Sequence, residues 1–438
     1  MKQTFFLSFL ILITSCVNAQ SVKNDLIDSK ILSEDQRVYG LSQIWSETKY
    51  NFVYYDQLKI DWDSLYQATI PKVRIARTTL AYYDELRHFA AQLNDGHTGV
   101  WYPMSFYKDE AAYAPLTTSL IEDKVFITAV LNDTLTQKGV KKGMEILKID
   151  GLPVTSYAEK FVSPFEGTST LQGHNMMVYS TYLLNGPINQ LLNLTLKDQK
   201  GKIKEFQISR KLTKKEIPAV QFALTTDQIG LLTINGFNAD FKKAFDSIYP
   251  NLIKAKSLII DLRNNGGGDG SQGYYLLKHL TKQPFSDPIS SFRQYNVAMR
   301  VWGVDAKTDT YFSMTPGTNK PFADRVIFEK PIVVLIGKQT YSAAEDFAIL
   351  FDYIKRGPLI GQLSGGSTGR PFFTELPGGG TFRVCIKKDT YPDGKLFVGV
   401  GIHPTIVVPE NSASFIKGKD QVMDKAFDVL QGRNNLIN

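Results

Sequence analysis

Two six-residue runs constrain the fold of this chain more than any other feature. Ser257-Leu258-Ile259-Ile260-Asp261-Leu262 and Pro331-Ile332-Val333-Val334-Leu335-Ile336 are apolar almost throughout and bounded by turn residues. Short runs of this kind read as buried strands. The first passes directly into Arg263-Asn264-Asn265-Gly266-Gly267-Gly268. The second passes through Gly337-Lys338-Gln339-Thr340-Tyr341 into Ser342 and a helical segment from about Ala343 to Ile354. With Ile229–Ile234 as a further strand, strands and helices alternate from about Ile217 to Val408, which predicts an α/β layer.

The rest of the chain has a different grain. From about Leu32 to Leu93 the pattern is helical, with Leu86, Phe89, Ala90 and Leu93 spaced as one buried face. That stretch ends in the turn-forming Asn94-Asp95-Gly96-His97-Thr98. From about Ala112 to Arg210 strands dominate. Val125–Val130 is one, and Gly139 to Gly143 lead into the apolar Ile146, Leu147 and Ile149, closed by an Asp150-Gly151 turn. This segment resembles a PDZ domain, which takes an extended peptide as an added strand on an open sheet edge. The alternative is a small β-rich domain with no ligand. Phe161 to Pro187 has no assignment.

At roughly 150 residues per domain, 438 residues predict two or three domains. The expected fold class is therefore multidomain α+β. Its expected parts are a signal peptide at 1–19, a helical bundle at 20–111, a PDZ-like domain at 112–211 and an α/β domain at 212–438.

The signal reading rests on Met1-Lys2, an apolar Phe5–Ile13, and Val17-Asn18-Ala19 before Gln20. It predicts an exported protein, periplasmic or extracellular. A rival reading takes Ile13-Thr14-Ser15-Cys16 as a lipobox, which makes Cys16 a lipid anchor and the chain an outer-membrane lipoprotein. If Cys16 leaves with the signal, Cys385 stands alone and no intrachain disulfide is possible. No later stretch reaches the roughly 18 consecutive apolar residues of a transmembrane helix.

Composition excludes several other classes. Only 5 His and 2 Cys occur, which argues against a disulfide framework or a zinc module. The net charge of +7 is interleaved along the chain and leaves no nucleic-acid footprint. No metal or cofactor is expected.

Chemistry is suggested first by Ser342. It follows a buried strand and opens a helix, where open α/β sheets place their sites and where backbone N–H groups favour an oxyanion. Ser342-Ala343-Ala344-Glu345 also suits a plain capping box. Gly266-Gly267-Gly268 lets backbone amides approach a ligand, with Asp261 and Arg263 bracing the turn. A nucleotide loop lacks its Gly-Lys-Ser/Thr ending here. The sharper reading is an oxyanion hole formed by Gly266, Gly267 and Ala343. A serine nucleophile also needs a base. His88, His97, His174, His279 and His403 are the histidines of the chain, and sequence position alone does not choose among them.

Five motifs then occur in order: Leu93–Thr98, Asp261–Gly268, Thr340–Glu345, Gly365-Gly366-Ser367-Thr368-Gly369 and Gly399-Val400-Gly401-Ile402-His403-Pro404. Together they resemble the carboxyl-terminal processing (tail-specific) serine peptidase family, on its tricorn-like branch, over nearly the whole chain after the signal. The resemblance implies a ClpP/crotonase-like α/β domain and endopeptidase action on peptide or protein substrates through an acyl-enzyme. Ser342 is then the nucleophile. One branch of the family uses a lysine as base, but Gly369 is followed here by Arg370, and arginine does not deprotonate in proteins. The tricorn-like branch uses the histidine of Asp-x-His-Thr, which is His97. Arg370 is left to hold a carboxylate of substrate or protein.

Two positions depart from that pattern. Val398 stands where an acidic residue helps orient the histidine, and Thr405 stands where an Asp follows the proline. The orienter is therefore open between Glu345 and Asp95. A degenerate scaffold that only binds a peptide or lipophile is the competing function. Substrate preference and oligomeric state are not assigned.

Overall fold

The computed structural model describes residues 32–106, 112–188, 190–210, 217–304 and 308–433; the expected signal segment and Cys16 lie outside them. The chain is a multidomain α+β protein.

Both apolar runs, Ser257–Leu262 and Pro331–Ile336, form central strands. One sheet has the order Ile406–Val407, Leu359–Gly361, Ile332–Ile336, Ser257–Asp261, Ile229–Ile234, Val220–Leu224. Its first five strands are parallel and the last is antiparallel. The strands are apolar throughout because both faces are covered. Leu258, Ile260, Ile332, Val334 and Ile336 pack with helices Phe241–Leu252, Gly270–Lys278 and Ala343–Tyr353. Ile259, Val333 and Leu335 face the other way, onto Val422, Met423 and Phe427 of helix Gln421–Leu430. Since Ser257–Asp261 and Ile332–Ile336 are parallel neighbours, with Asp261 opposite Leu335, their carboxyl ends emerge side by side. The glycine turn and Ser342 follow from those two ends.

The N-terminal region folds as helices Glu34–Asn51, Trp62–Ile75 and Thr79–Ala91. The first is capped by Ser33 and Gln36, which bond each other's backbone at 3.2 and 2.9 Å. Leu86, Phe89, Ala90 and Leu93 are buried, as their spacing predicts. The core they enter is not the helices' own. Leu376, Phe382, Val384 and Cys385 complete it from nearly 300 residues downstream. These come from the hairpin Pro371–Glu375/Thr381–Cys385, whose second strand also pairs with Gly99–Trp101. Gly380 is the tightest point of that joint. A Cβ there would lie 2.2 Å from the Tyr83 ring and 2.5 Å from the Trp101 carbonyl.

The middle region is an antiparallel sheet in the order Leu116–Ile121, Lys124–Val130, Glu145–Ile149, Leu191–Lys197, Ile203–Ser209. Leu152–Pro153 pairs back on Glu145–Ile149 across a turn with Asp150 at φ 46° and Gly151 at φ 81°, the conformation for which Asp-Gly is favoured. The stretch left unassigned by sequence forms helix Leu171–Met176 and a π-helical turn, Met177–Tyr182. Its leading residues cross to the α/β region. Thr170 donates to the Gly365 carbonyl at 2.6 Å, and Gln172 donates to the carbonyls of Ser364 and Val400 at 3.1 and 2.8 Å. Among the described residues no helix is long and apolar enough to cross a membrane.

Candidate active site

Ser342 sits in a backbone conformation that ordinary residues avoid, φ 54° and ψ −126°. Such a residue stores about 1–3 kcal/mol and persists only where its surroundings over-determine it. Here they do. Its N–H meets the Ser367 carbonyl at 3.0 Å and Glu345 Oε2 at 3.2 Å, and its carbonyl accepts from the amides of Glu345 and Asp346 at 2.7 and 3.0 Å. The Glu345 half of the capping box is therefore formed. The hydroxyl also faces the imidazole: Ser342 Oγ lies 3.0 Å from His97 Nε2.

His97 reaches that position from a turn fixed at several points. Asp95 Oδ2 accepts from the His97 N–H at 3.2 Å and the Thr98 hydroxyl at 2.7 Å, and Asp95 Oδ1 accepts from Ser169 at 3.3 Å. Arg383 donates to the Gly96 carbonyl at 3.1 Å, and the Cys385 amide donates to Thr98 Oγ1 at 3.0 Å. The imidazole stacks on Tyr341, with centroids 5.4 Å apart and planes 4° from parallel. Gly96 is what allows this, since a Cβ there would fall 1.6 Å from the Tyr341 hydroxyl. Burial, followed by the nearby Arg383 and Lys387 charges, pushes His97 down to about 3. The ring is neutral near pH 7 and holds a lone pair for a proton.

Neither expected orienter touches the ring. Asp95 fixes the backbone of the turn. Glu345, fully buried, accepts at Oε1 from the Gly366 amide at 2.7 Å and the Ser364 hydroxyl at 2.5 Å. At Oε2 it accepts from the Ser367 amide at 2.9 Å. Burial pushes its carboxyl up to about 8, while these donors pull the other way. The partner of His97 Nδ1 is the hydroxyl of Ser367, at 2.9 Å. In the sequence, Ser367 stands inside a glycine-rich motif with no role assigned to it. Its one signal was being the hydroxyl residue of Gly365–Gly369 beside Thr368. When that hydroxyl accepts from Nδ1–H, Nε2 is the acceptor facing Ser342.

The glycine turn lies against the serine. A Cβ on Gly267, whose φ is 98°, would sit 2.7 Å from Ser342 Cβ and 2.9 Å from the Ala343 nitrogen. One expectation needs correction. The Gly267 N–H is already bonded, to Asn265 Oδ1 at 2.9 Å, because buried Asn265 closes the turn on itself. Gly266 and Ala343 remain of the three proposed donors, Ala343 as the first amide of its helix, which has no intrahelical partner. Arg263 braces the turn through Asp261 at 3.0 and 2.7 Å, and also through Asp420.

The other expected residues are not brought to the serine. Arg370 is solvent-exposed at the start of its hairpin, and it is Gly369 that packs on His97, its Cβ position 3.8 Å from His97 Cβ. Val398 packs against the α/β core and lines a cavity of about 630 Å³ with Phe52, Leu58, Asn94, Asp95 and Ser169. Thr405 accepts from the Leu359 amide at 3.2 Å and so serves the sheet. His174 bonds Ser163 at 2.9 Å, His279 is buried among aromatic rings with its Nδ1 on the Tyr275 carbonyl, His88 packs on Phe165, and His403 is exposed.

Residues 228–408 match peptidase family S41. That span holds the glycine turn, Ser342, Glu345 and Ser367, and leaves His97 outside it. Among solved structures, mature CPAF superposes with a TM-score of 0.70 at 18% identity, over 92% of this chain and 99% of that one. Mature CPAF complexed with lactacystin gives 0.68 at 17%, with the same coverage. The photosystem II D1 C-terminal processing protease gives 0.53 at 18%, over 88% of this chain and 97% of that one. At these identities the likeness is one of fold, and it extends through the N-terminal helices and the middle sheet.

Proposed function

We propose that this chain, a serine-type peptidase with a peptidase family S41 domain over residues 228–408, cleaves extended polypeptide segments through an acyl-enzyme on Ser342. The observation that carries this reading is the 3.0 Å approach of Ser342 Oγ to His97 Nε2 at the head of a helix. His97 Nε2 takes the hydroxyl proton as Oγ attacks the scissile carbonyl carbon. The same proton passes to the leaving amine as the peptide bond breaks, and water, deprotonated by His97, then releases the acyl group. The amides of Ala343 and Gly266 serve the developing oxyanion, aided by the helix dipole.

A histidine held down to about 3 accepts a proton reluctantly. Charging it therefore depends on the negative oxyanion forming beside it. Glu345 acts at one remove, by anchoring the amides of Ser367 and Ser342, and is a positioning residue.

Three finer parts of the reading go with this. The region 112–211 acts as a PDZ-like substrate-capture module, supported by the open edge at Leu116–Ile121 with a helical segment beside it, where Thr118 bonds the Tyr179 carbonyl at 2.5 Å. The helices of 20–111 and the α/β region of 212–438 together form the catalytic body. Residues 1–19 direct export, with Cys16 lipidation as the alternative route to a membrane surface. The binding-only alternative is not favoured: it rested on Val398 and Thr405, and Ser367 supplies the imidazole partner that those positions lack.

Labelling by a fluorophosphonate tests the assignment. Wild type is expected to react and Ser342→Ala to be silent, with unchanged circular dichroism. Labelling that survives in Ser342→Ala removes Ser342 from the mechanism.

A further inference from the structure

The hairpin that completes the N-terminal core has one edge strand. Pro371–Glu375 is the outer strand of the three-stranded sheet Gly99–Trp101, Thr381–Cys385, Pro371–Glu375, and among the described residues no strand pairs with its other side. Exposed apolar edges invite pairing, and proteins commonly blunt them with charge, a bulge or a covering loop. This edge carries Phe372 and Phe373, 46% and 59% exposed.

Its hydrogen-bonding pattern is fixed by the register. The Ile386 amide donates to the Arg370 carbonyl at 3.1 Å, and the Leu376 amide donates to the Gly380 carbonyl at 2.9 Å. In an antiparallel pair, inward and outward residues alternate. Arg370, Phe372, Thr374 and Leu376 therefore spend their backbone groups on the hairpin, while Pro371, Phe373 and Glu375 turn theirs outward, where the Glu375 carbonyl accepts from Gln43 at 3.4 Å. Proline has no N–H. Phe373 is thus the first residue of the edge to offer both a donor and an acceptor.

The edge also points at the chemistry. Phe373 stands opposite Arg383, so the two share a face of the sheet, and Arg383 donates to the carbonyl of Gly96 beside His97. Gly369, whose Cβ position is 3.8 Å from His97 Cβ, precedes Phe373 by four residues. Extended chain rises about 3.3 Å per residue, so the anchor lies about 13 Å of strand from the base.

We propose that Pro371–Glu375 is a docking strand for the substrate. An extended peptide adds to this edge as a fourth strand, exchanges two backbone hydrogen bonds with Phe373, and carries its scissile bond about four residues further on to Ser342. Phe372 and Phe373, on opposite faces, favour large apolar side chains on the bound segment. The occupant is a peptide rather than a second copy because the edge is continuous with the Gly365–Gly369 loop that holds the imidazole. The inference rests on the peptidase reading above.

Phe373→Pro in the full chain removes the outward N–H and spares the inward ladder. For a peptide substrate of ten residues rich in Leu and Phe, KM is expected to rise about tenfold, the order expected for losing one backbone hydrogen bond in a partly desolvated strand. Fluorophosphonate labelling of Ser342 should stay within about twofold of wild type. An unchanged KM overturns the docking strand. If Phe373→Pro does not label, single N-methylation along the peptide is read on wild type: one position should lose about tenfold, and a flat profile overturns the proposal. A dimer in sedimentation that Phe373→Pro dissolves also overturns it, because the edge then belongs to a second copy. Failure of wild type to label at all strikes the peptidase reading instead.

Discussion

Ser342 and His97 lie 3.0 Å apart but are held by different kinds of structure. The serine belongs to a regular layer. Parallel neighbours at Ser257–Asp261 and Ile332–Ile336 end side by side, and one helix begins where the second strand's loop closes. Nearly everything that fixes it lies within that layer. The histidine, 245 residues earlier, is fixed where separate segments converge: Asp95 in its own turn, Ser169 from the middle region, Ser367 after the helix, and Arg383 and Cys385 from the hairpin. The proposed nucleophile is thus positioned by local regularity and the proposed base by long-range closure. Faults around the base should accordingly be graded, whereas the serine itself is all or none.

The largest effect that sharpens this contrast after loss of the serine is His97→Ala. Removing the only histidine in reach of Ser342 should cost about 10³-fold or more in kcat. Arg370→Ala, at an exposed site, should stay within about threefold of wild type. Peptide hydrolysis on the two variants decides the matter, and the reverse order would remove His97 from the role of base.

Ser367→Ala comes next. With neither Asp95 nor Glu345 on the imidazole, the Ser367 hydroxyl is the partner of Nδ1 in the tautomer that leaves Nε2 free. Its loss should lower kcat by about 10- to 100-fold, more than a neutral hydrogen bond alone, because the wrong tautomer is then populated. KM should hardly move. Ser367→Thr, which keeps the hydroxyl, should recover most of the rate, and the nitrogen chemical shifts of His97 should report the altered tautomer in the alanine variant. Equal losses in Ala and Thr variants would make Ser367 a packing residue only.

The same contrast explains what the sequence made legible. Ser342, Glu345 and the glycine turn were readable because strand, loop and helix follow one another within a short span, and apolar runs report buried strands directly. The match to family S41 covers the same span. His97 was named only because its motif resembled a family pattern, since nothing local tells a turn histidine where it will pack. Ser367 was invisible as a partner for the same reason: its hydroxyl acquires meaning only when the turn at Asp95–Thr98 arrives. Asn265 illustrates the converse. The triple glycine suggested free amides, but a buried neighbouring side chain had already taken one. The stretch after Phe161 carried no pattern because its residues bridge two regions and obey the period of neither.

The smallest expected effect on activity near pH 7 is the pH dependence of stability, and it bears on the proposed base alone. Folded His97 is held down to about 3, whereas in the unfolded chain it titrates near its ordinary value of about 6.5. As the pH falls below about 6.5, the unfolded state takes up a proton that the folded state refuses, so the contribution is whole above that value. It declines towards about 3 by up to about 1.4 kcal/mol per pH unit. For a chain of this size that is roughly 2 °C of melting temperature per unit. Melting curves of wild type and His97→Asn between pH 7.5 and about 4 should run parallel above about 6.5 and converge or cross below it, because the variant has no imidazole to charge. Curves that stay parallel throughout would mean that the folded imidazole takes the proton as readily as the free one. The base would then be solvated or supported by a carboxylate, and the closure that separates it from the serine's layer would be looser than the packing of Tyr341, Ser367 and Gly369 around it implies.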